Sequence, residues 1–265
     1  MKQNIYLKFA IGAILLEVLF RFMNFVLGLP AGEGLTIWNF LANFLIAATL
    51  GYYILHSNVK GYQLSLFVFI LYFLIGHFNI LIEAYIFNVT DRAETTLHIL
   101  EGLLVAITFS PIYVYLFKEN TISITLSFTA RSILSWTWRI ILGNFIYIIF
   151  YIIAGLILTT IYPELLQFYE GKMPSIDLII KTQLLLRGFI FVAVAILIVR
   201  TLHLSLLKKA LFIGLVFSIL GGIAPLIQPN ELMPNYVRMG HLFEVGISNF
   251  LYGVVLGFLL GQKKE

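Results

Sequence analysis

The chain has 265 residues, of which 60% are hydrophobic and 11% are charged, and its mean hydropathy is +0.97. Soluble domains carry about 25% charged residues, so this composition excludes a soluble globule and a disordered chain and indicates a polytopic membrane protein. The net charge of +4 does not indicate nucleic acid as a partner, because excess Lys and Arg in a membrane protein chiefly set its orientation. Because the chain has no cysteine, disulfides, thiolate metal sites and cysteine nucleophiles are excluded.

Eight segments are long and apolar enough to cross a bilayer, which takes about 20 mostly apolar residues. Polar or Gly/Pro-rich stretches separate them. In chain order the predicted spans are 9–29, 36–55, 62–87, 95–117, 133–161, 178–200, 208–228 and 237–260. The sequence therefore predicts an all-α integral membrane protein with eight transmembrane helices and the lipid bilayer as its surroundings.

The basic residues are distributed unequally between the two ends of these helices. Eleven Lys and Arg lie in the N-terminus, the even-numbered loops, the C-terminus and the adjoining helix ends, and four lie on the opposite side. The positive-inside rule then predicts that both termini are cytoplasmic. Since the composition looks bacterial, we expect a plasma or inner membrane.

Two sets of four spans resemble each other. The segment LHILEGLLVA at 97–106 in the fourth span is similar to GHLFEVGISN at 240–249 in the eighth, and both place His-x-x-Glu near the outer end of a helix. An even number of helices preserves orientation, so a duplicated unit of this size gives parallel repeats. We therefore expect two fused four-helix repeats, residues 1–120 and 121–265.

The second and sixth spans favour the same alignment, which pairs Asn39 with Gln183 and Asn43 with Arg187. Arg187 thus has an uncharged counterpart in the first repeat. Burying a lone guanidinium costs several kcal/mol, so the alignment predicts a partner of comparable depth, Glu101 or Glu244. Arg238 is expected, in contrast, at the wet rim.

Polar side chains are concentrated in the outer halves of the spans, whereas the cytoplasmic halves are nearly bare of ionisable groups. Helical spacing arranges them in stripes, and stripes of this polarity face the bundle interior or water rather than lipid. We therefore expect a cavity lined by His, Glu and Arg and open to the extracytoplasmic side. Besides the candidate metal ligands, its expected polar residues are Glu17, Arg21, Asn39, Asn43, His77, Asn79, Gln183, Arg187, Arg238 and Ser248.

A metal cation is the first ligand that this pattern suggests. With Arg238 left at the rim, the cavity has four glutamates (Glu17, Glu83, Glu101 and Glu244) but two arginines (Arg21 and Arg187), so two acids need a proton, a histidine or a cation. Each His-x-x-Glu puts an imidazole and a carboxylate on one helix face, and mixed nitrogen and oxygen ligation suits a divalent transition metal. The sequence thus predicts a metal site of His98, Glu101, His241, Glu244 and Glu83, with redox or hydrolytic chemistry.

Other interpretations stay open at this point. His98 and His241 could serve as axial ligands of haem, although the neighbouring acids suit an apolar macrocycle poorly. Intramembrane acids, histidine and arginine are also typical of a solute or proton-coupled transporter that takes a small polar ligand from outside. In a non-catalytic structural subunit, the same residues would only form internal ion pairs. No nucleotide, kinase or hydrolase motif occurs, so the sequence does not decide whether the protein is an enzyme, or its oligomeric state.

Overall fold

The computed structural model describes residues 4–29, 35–88, 91–118, 131–171, 174–228 and 234–262. These residues form an all-helical protein with eight helices long and apolar enough to cross a membrane. The eight helices are α1 Ile5–Leu27, α2 Ile37–His56, α3 Gly61–Phe87, α4 Arg92–Leu116, α5 Ile133–Ile161, α6 Ile176–Thr201, α7 Leu206–Ile227 and α8 Asn235–Leu260. A short helix that was not predicted, Glu164–Tyr169, lies between α5 and α6. The outer end of the bundle is defined here as the end at which α1, α3, α5 and α7 finish.

Side-chain caps mark the starts of several helices. Asn4, Thr36, Asp91 and Ser132 each accept a hydrogen bond from a backbone N–H in the first turn of the helix that follows. Such caps satisfy amide groups that have no partner inside the helix. The short polar stretches between the apolar segments therefore also set the helix starts, which lie within four residues of the predicted ones.

Three of the helices contain a five-residue π-helical segment. These segments are Leu74–Phe78 in α3, Gln183–Arg187 in α6 and Ile219–Ile223 in α7. A π segment adds a residue to the helical turn and is frequent at functional sites. The first and third segments contact each other, and the second carries a predicted site residue, Arg187. The apolar periodicity of the sequence does not predict them.

Each set of four consecutive helices packs as a ring. In the first half, α1 and α3 both contact α2 and α4; in the second half, α5 and α7 both contact α6 and α8. The halves meet where α2 and α3 contact α6 and α7. A single cluster of buried apolar side chains runs through both halves, including Tyr72 and Phe109 in the first and Phe191 and Tyr252 in the second. The two halves therefore share one core.

The inner ends of α2 and α6 are joined by a short backbone pairing, which we call the inner bridge. Residues 56–58 and 201–203 run antiparallel and are centred on Ser57 and Leu202. Two backbone hydrogen bonds of 2.8 and 2.9 Å connect them, and both central residues are buried. The inner bridge thus fastens one half to the other at the end of the bundle opposite the predicted polar sites.

Small residues let α7 and α8 pack closely. A Cβ atom placed on Gly257 would lie 2.3 Å from the Cα of Ala210, and one on Gly253 would lie 2.7 Å from the Cα of Gly214. Glycines four residues apart allow helix backbones to approach in this way, and they are common where membrane helices associate. This interface has no room for a larger side chain at either position.

Candidate functional site

Six of the fifteen predicted polar residues lie in two groups, each of which also contains tyrosine. The cross-half cluster joins α3 of the first half to the second half and consists of Glu83, Tyr147, Tyr151, Gln183 and Arg187. The first-half cluster lies between α3 and α4 and consists of Tyr72, His77, His98 and Glu101. In both groups the side chains interact directly with one another.

The ion pair between Glu83 and Arg187 is the centre of the cross-half cluster. Glu83 has two further donors, since the Gln183 amide and the Tyr151 hydroxyl each donate to its Oε1 at 2.9 Å. The Arg187 side chain is 8% exposed and that of Glu83 23%. Hydrogen bonds to a charged acceptor are stronger than those between neutral groups, so these donors offset part of the cost of placing a carboxylate here.

The prediction that Arg187 pairs with Glu101 or Glu244 is wrong, because its partner is Glu83. The prediction compared only the depths of the Cα atoms, and these differ in the structure. Arg187 lies about 16 Å from the outer end of α6, and Glu83 lies about 6 Å from that of α3. Side chains on a helix lean toward its N-terminus. Because α6 begins at the outer end, the Arg187 side chain leans outward; because α3 begins at the inner end, the Glu83 side chain leans inward. The two charged groups therefore meet although their Cα atoms lie at different depths.

A second chain of hydrogen bonds adjoins the cross-half cluster. The Tyr169 hydroxyl lies 2.7 Å from His241 Nε2, and His241 Nδ1 lies 3.1 Å from Glu244 Oε2. The Glu244 carboxylate also interacts electrostatically with Arg187 and Tyr151. Burial raises the pKa of Tyr169 to about 12, with Glu244 adding to the effect, so the phenol keeps its proton at neutral pH. With a neutral imidazole, the Tyr169 hydroxyl therefore donates to His241, which donates to Glu244.

The first-half cluster contains buried polar atoms that have no partner. His98 Nδ1 lies 3.0 Å from Glu101 Oε2, whereas the hydroxyl of Tyr72 and Nε2 of His77 are buried without a hydrogen bond to any described residue. A Cβ atom on Gly102 would lie 2.6 Å from the His77 ring, so glycine is what lets this imidazole rest against α4. Unpaired buried polar atoms are rare in folded proteins, and they mark this cluster as unusual.

The remaining polar residues predicted in α1 and α2 have partners of their own. Glu17 Oε1 accepts from the Arg21 guanidinium at 2.7 Å, and Glu17 Oε2 accepts from the Asn43 amide at 3.0 Å. Asn39 hydrogen-bonds to Thr36 at the start of α2. Glu17 and Asn43 thus tie α1 to α2, and the Asn39 backbone amide is capped by the Thr36 hydroxyl.

Two further predicted residues lie on helices of the clusters. Asn79 is buried in α3, directly after the π segment, and its Oδ1 has no hydrogen-bond partner in the described part of the chain. The Ser248 hydroxyl, half-buried on α8, donates to the carbonyl of Val245 at 3.5 Å. The Ser248 hydrogen bond stays within α8, and among the described residues neither side chain hydrogen-bonds to the cross-half cluster.

The expectation that Arg238 lies at a wet rim is also wrong. Its side chain is buried, and Nη1 donates to the carbonyls of Leu226 and Ile227 at 2.6 and 3.0 Å. The last carbonyls of a helix have no partner inside it, and the helix dipole makes that end attractive to a cation. Arg238 therefore caps α7 rather than facing solvent.

The structure gives the predicted metal site no support. Within the described ranges, no group of three or more His, Cys, Asp and Glu side chains could hold a metal ion. The two His-x-x-Glu pairs have different neighbours, and the carboxylate of Glu83 is already occupied by its three donors. Haem is not favoured either, since both ring nitrogens of His241 are hydrogen-bonded.

Sequence reasoning missed the tyrosines of the site, since only His, Glu, Arg, Asn, Gln and Ser were considered as site residues. Tyr147 and Tyr151 are four residues apart and so share one face of α5. Tyr147 lies about 21 Å from the inner end of that helix and is buried, and its hydroxyl donates to Gln183 Oε1 at 3.2 Å. Its position in the middle of an apolar span, rather than at an end, is the signal that could have identified it.

Similarity to known proteins does not help to interpret these clusters. Comparison with family models, curated proteins and solved structures finds no match for the chain.

Proposed function

We propose that the chain is an integral protein of a plasma or inner membrane, with both termini in the cytoplasm. The eight apolar helices support the insertion, and the excess of basic residues near the inner end supports the orientation. In this orientation both polar clusters lie in the half of the membrane nearer the exterior. A ligand would then reach them from outside the cell.

We also infer that the two halves are fused parallel repeats, residues 1–120 and 121–265. The two rings of helices have the same contact pattern. Ser57 and Leu202 of the inner bridge are 145 positions apart, and so are Leu74 and Ile219, where two of the π segments begin. Asn39 and Gln183 are 144 positions apart, and the extra residue of the π segment that follows in α6 accounts for the difference.

For this two-half protein we propose the function of a proton-coupled carrier of a small polar solute. The observation that carries the proposal is the ion pair of Glu83 and Arg187 across the interface between the halves. Burying two charges costs several kcal/mol per ion, and well-packed apolar residues often replace such a pair without loss of stability. Charges retained inside apolar helices are therefore better explained by function than by stability.

The two connections between the halves suit alternating access. The cross-half cluster joins them in the outer half of the bundle, and the inner bridge joins them at the inner end. A carrier built from repeats works by rocking one repeat against the other around a central site. In this proposal the two connections break in turn, so that the site opens first to one side and then to the other.

A metal-dependent function is less well supported. It would need ligands from both His-x-x-Glu pairs, and the described residues hold no group that could bind a metal. A divalent metal retained at one per chain after purification in detergent would favour metal binding over the carrier.

Labelling of single cysteines tests the carrier directly, because the natural chain has none. Ser57→Cys reports on the inner bridge, and Thr182→Cys reports on the buried face of α6 next to the cross-half cluster; both residues are buried. In the Glu83→Gln background, which removes one charge of the ion pair, we expect labelling of Thr182→Cys by a membrane-impermeant maleimide to rise several-fold. Labelling of Ser57→Cys should stay low or fall, since the inner end closes when the outer end opens.

Thr96→Cys is the matched control, because Thr96 is exposed near the outer end of α4. Its labelling should not change with Glu83→Gln, and it should occur from outside intact cells if the proposed orientation is right. Equal increases at Ser57→Cys and Thr182→Cys would indicate general loosening and argue for a structural subunit instead of a carrier.

A further inference from the structure

Among the residues that the structure describes, the Arg187 guanidinium makes its hydrogen bonds through one nitrogen. Its hydrogen bonds to Glu83 and to Gln183 Oε1, the latter at 3.2 Å, both leave from Nη1. Nε is buried and has no partner. Arginine carries five N–H donors in a planar fork, and the edge that includes Nε binds a carboxylate or phosphate through two parallel hydrogen bonds. One donor of that edge is therefore buried without an acceptor.

The charges around Arg187 decide when an anion can bind there. Glu83 on α3 and Glu244 on α8 act on it, with His241 bonded to Glu244. The hydroxyls of Tyr147 and Tyr151 on α5 and the Gln183 amide on α6 complete the polar surroundings. With two carboxylates and one guanidinium, the site is already negative when His241 is neutral. An added anion needs a proton on one of the two glutamates to offset its charge.

We propose that Arg187 is the binding residue for the carried solute, and that this solute is a small oxyanion, a carboxylate or phosphate, which enters together with one proton. The inference rests on the proposed carrier function and names its substrate class. The proton comes from the outer medium and binds to Glu83 or Glu244, and the anion accepts hydrogen bonds from the free edge of Arg187. Apart from this proton transfer to a carboxylate oxygen, no covalent bond forms or breaks.

The position of Arg187 favours a free solute over a lipid headgroup. Arg187 lies about 16 Å from the outer end of α6, whereas the headgroup region on each side of a bilayer is only about 5–7 Å thick. A phosphate attached to lipid would have to leave that region to reach Nε. A small free anion needs only the opening of the outer half of the bundle.

The test is anion binding to the full chain in nanodiscs of zwitterionic lipid, with sodium acetate and sodium phosphate as probes and sodium chloride at equal ionic strength as the reference. We expect acetate, phosphate or both to raise the melting temperature beyond the effect of chloride, and to bind more tightly at mildly acidic than at mildly alkaline pH. Arg187→Lys keeps the charge but lacks the planar fork. Binding to this variant should be about tenfold weaker.

Glu83→Gln is the second variant, and it keeps the inference testable if Arg187→Lys does not fold. It imitates a protonated Glu83, so anion binding at alkaline pH should become several-fold tighter than in the natural chain. A melting temperature that neither probe raises, or equal affinities in all three proteins, would overturn the inference. It would also be overturned if anionic lipid in the nanodisc raised the melting temperature and the free anions did not. These outcomes leave the carrier itself standing, because the cysteine labelling does not depend on the identity of the solute.

Discussion

Replacing Arg187 with methionine is expected to lower the free energy of unfolding by about 3 kcal/mol. The substitution leaves the Glu83 carboxylate with only its neutral donors, Gln183 and Tyr151, in a half-buried position between the two halves. Removing one partner of a buried ion pair costs more than the pair itself contributes, because the remaining charge is no longer compensated. The measurement is the unfolding transition of the purified protein in detergent, by heat or by titration with a denaturing detergent.

Arg92→Met is the matched control. Arg92 lies at the exposed start of α4, where it donates to the Tyr85 carbonyl at 3.3 Å, and we expect a change within about 0.5 kcal/mol. The double variant Glu83→Leu/Arg187→Met should recover much of the loss, since it removes both charges together. If Arg187→Met is as stable as Arg92→Met, the guanidinium is solvated and the ion pair is not buried as described.

The second large effect is expected at the contact of α7 with α8. The Cβ atom of valine at position 257 would lie 2.3 Å from the Cα and 2.6 Å from the Cβ of Ala210. Both atoms are fixed to the backbone of α7, so the helices must separate along the glycine face. Overpacking of this kind costs about 1–3 kcal/mol and occasionally more. Gly257→Val should therefore reduce both the melting temperature and the yield of folded protein.

Gly155→Val is the control, since Gly155 lies inside α5, in its outer half, and a Cβ atom there would meet nothing within 4 Å. Its melting temperature should be close to that of the natural chain. A similar loss of stability in both variants would mean that valine itself, and not the close approach of α8 to α7, is harmful.

The helices could be predicted because their signal is local and repeated. An apolar run of about 20 residues can be recognised without knowing any contact between helices. The caps at Asn4, Thr36 and Asp91 lie in the polar stretches that precede such runs. The π segments could not be predicted, since each depends on the packing of its own helix against its neighbours. The short helix Glu164–Tyr169 was not predicted either. It lies in the connection between α5 and α6, where the residues are polar and aromatic and have no apolar run to mark a helix.

The residues of the site could be predicted better than the ion pairs that they form with one another. Depth along each span correctly placed Glu83, Gln183 and Arg187 in the outer half, but depth alone cannot give the direction in which a long side chain leans. Arg187 therefore forms its ion pair with Glu83 and not with an acid of equal depth. The prediction for Arg238 failed because this side chain binds the carbonyls at the end of α7. That contact requires α8 to pack beside α7, which the sequence alone does not show.

The central claim is that the two halves move against each other, and pairs of spin labels measure this movement most directly. One pair, Thr96→Cys with Ile176→Cys, spans the halves near the outer end; the other, Tyr62→Cys with Leu207→Cys, spans them near the inner end. All four residues are exposed. In nanodiscs we expect two distances for each pair, with acidic pH shifting the outer and inner pairs in opposite directions. A single distance at both ends that does not change with pH would contradict the carrier and leave the ion pair a purely structural element.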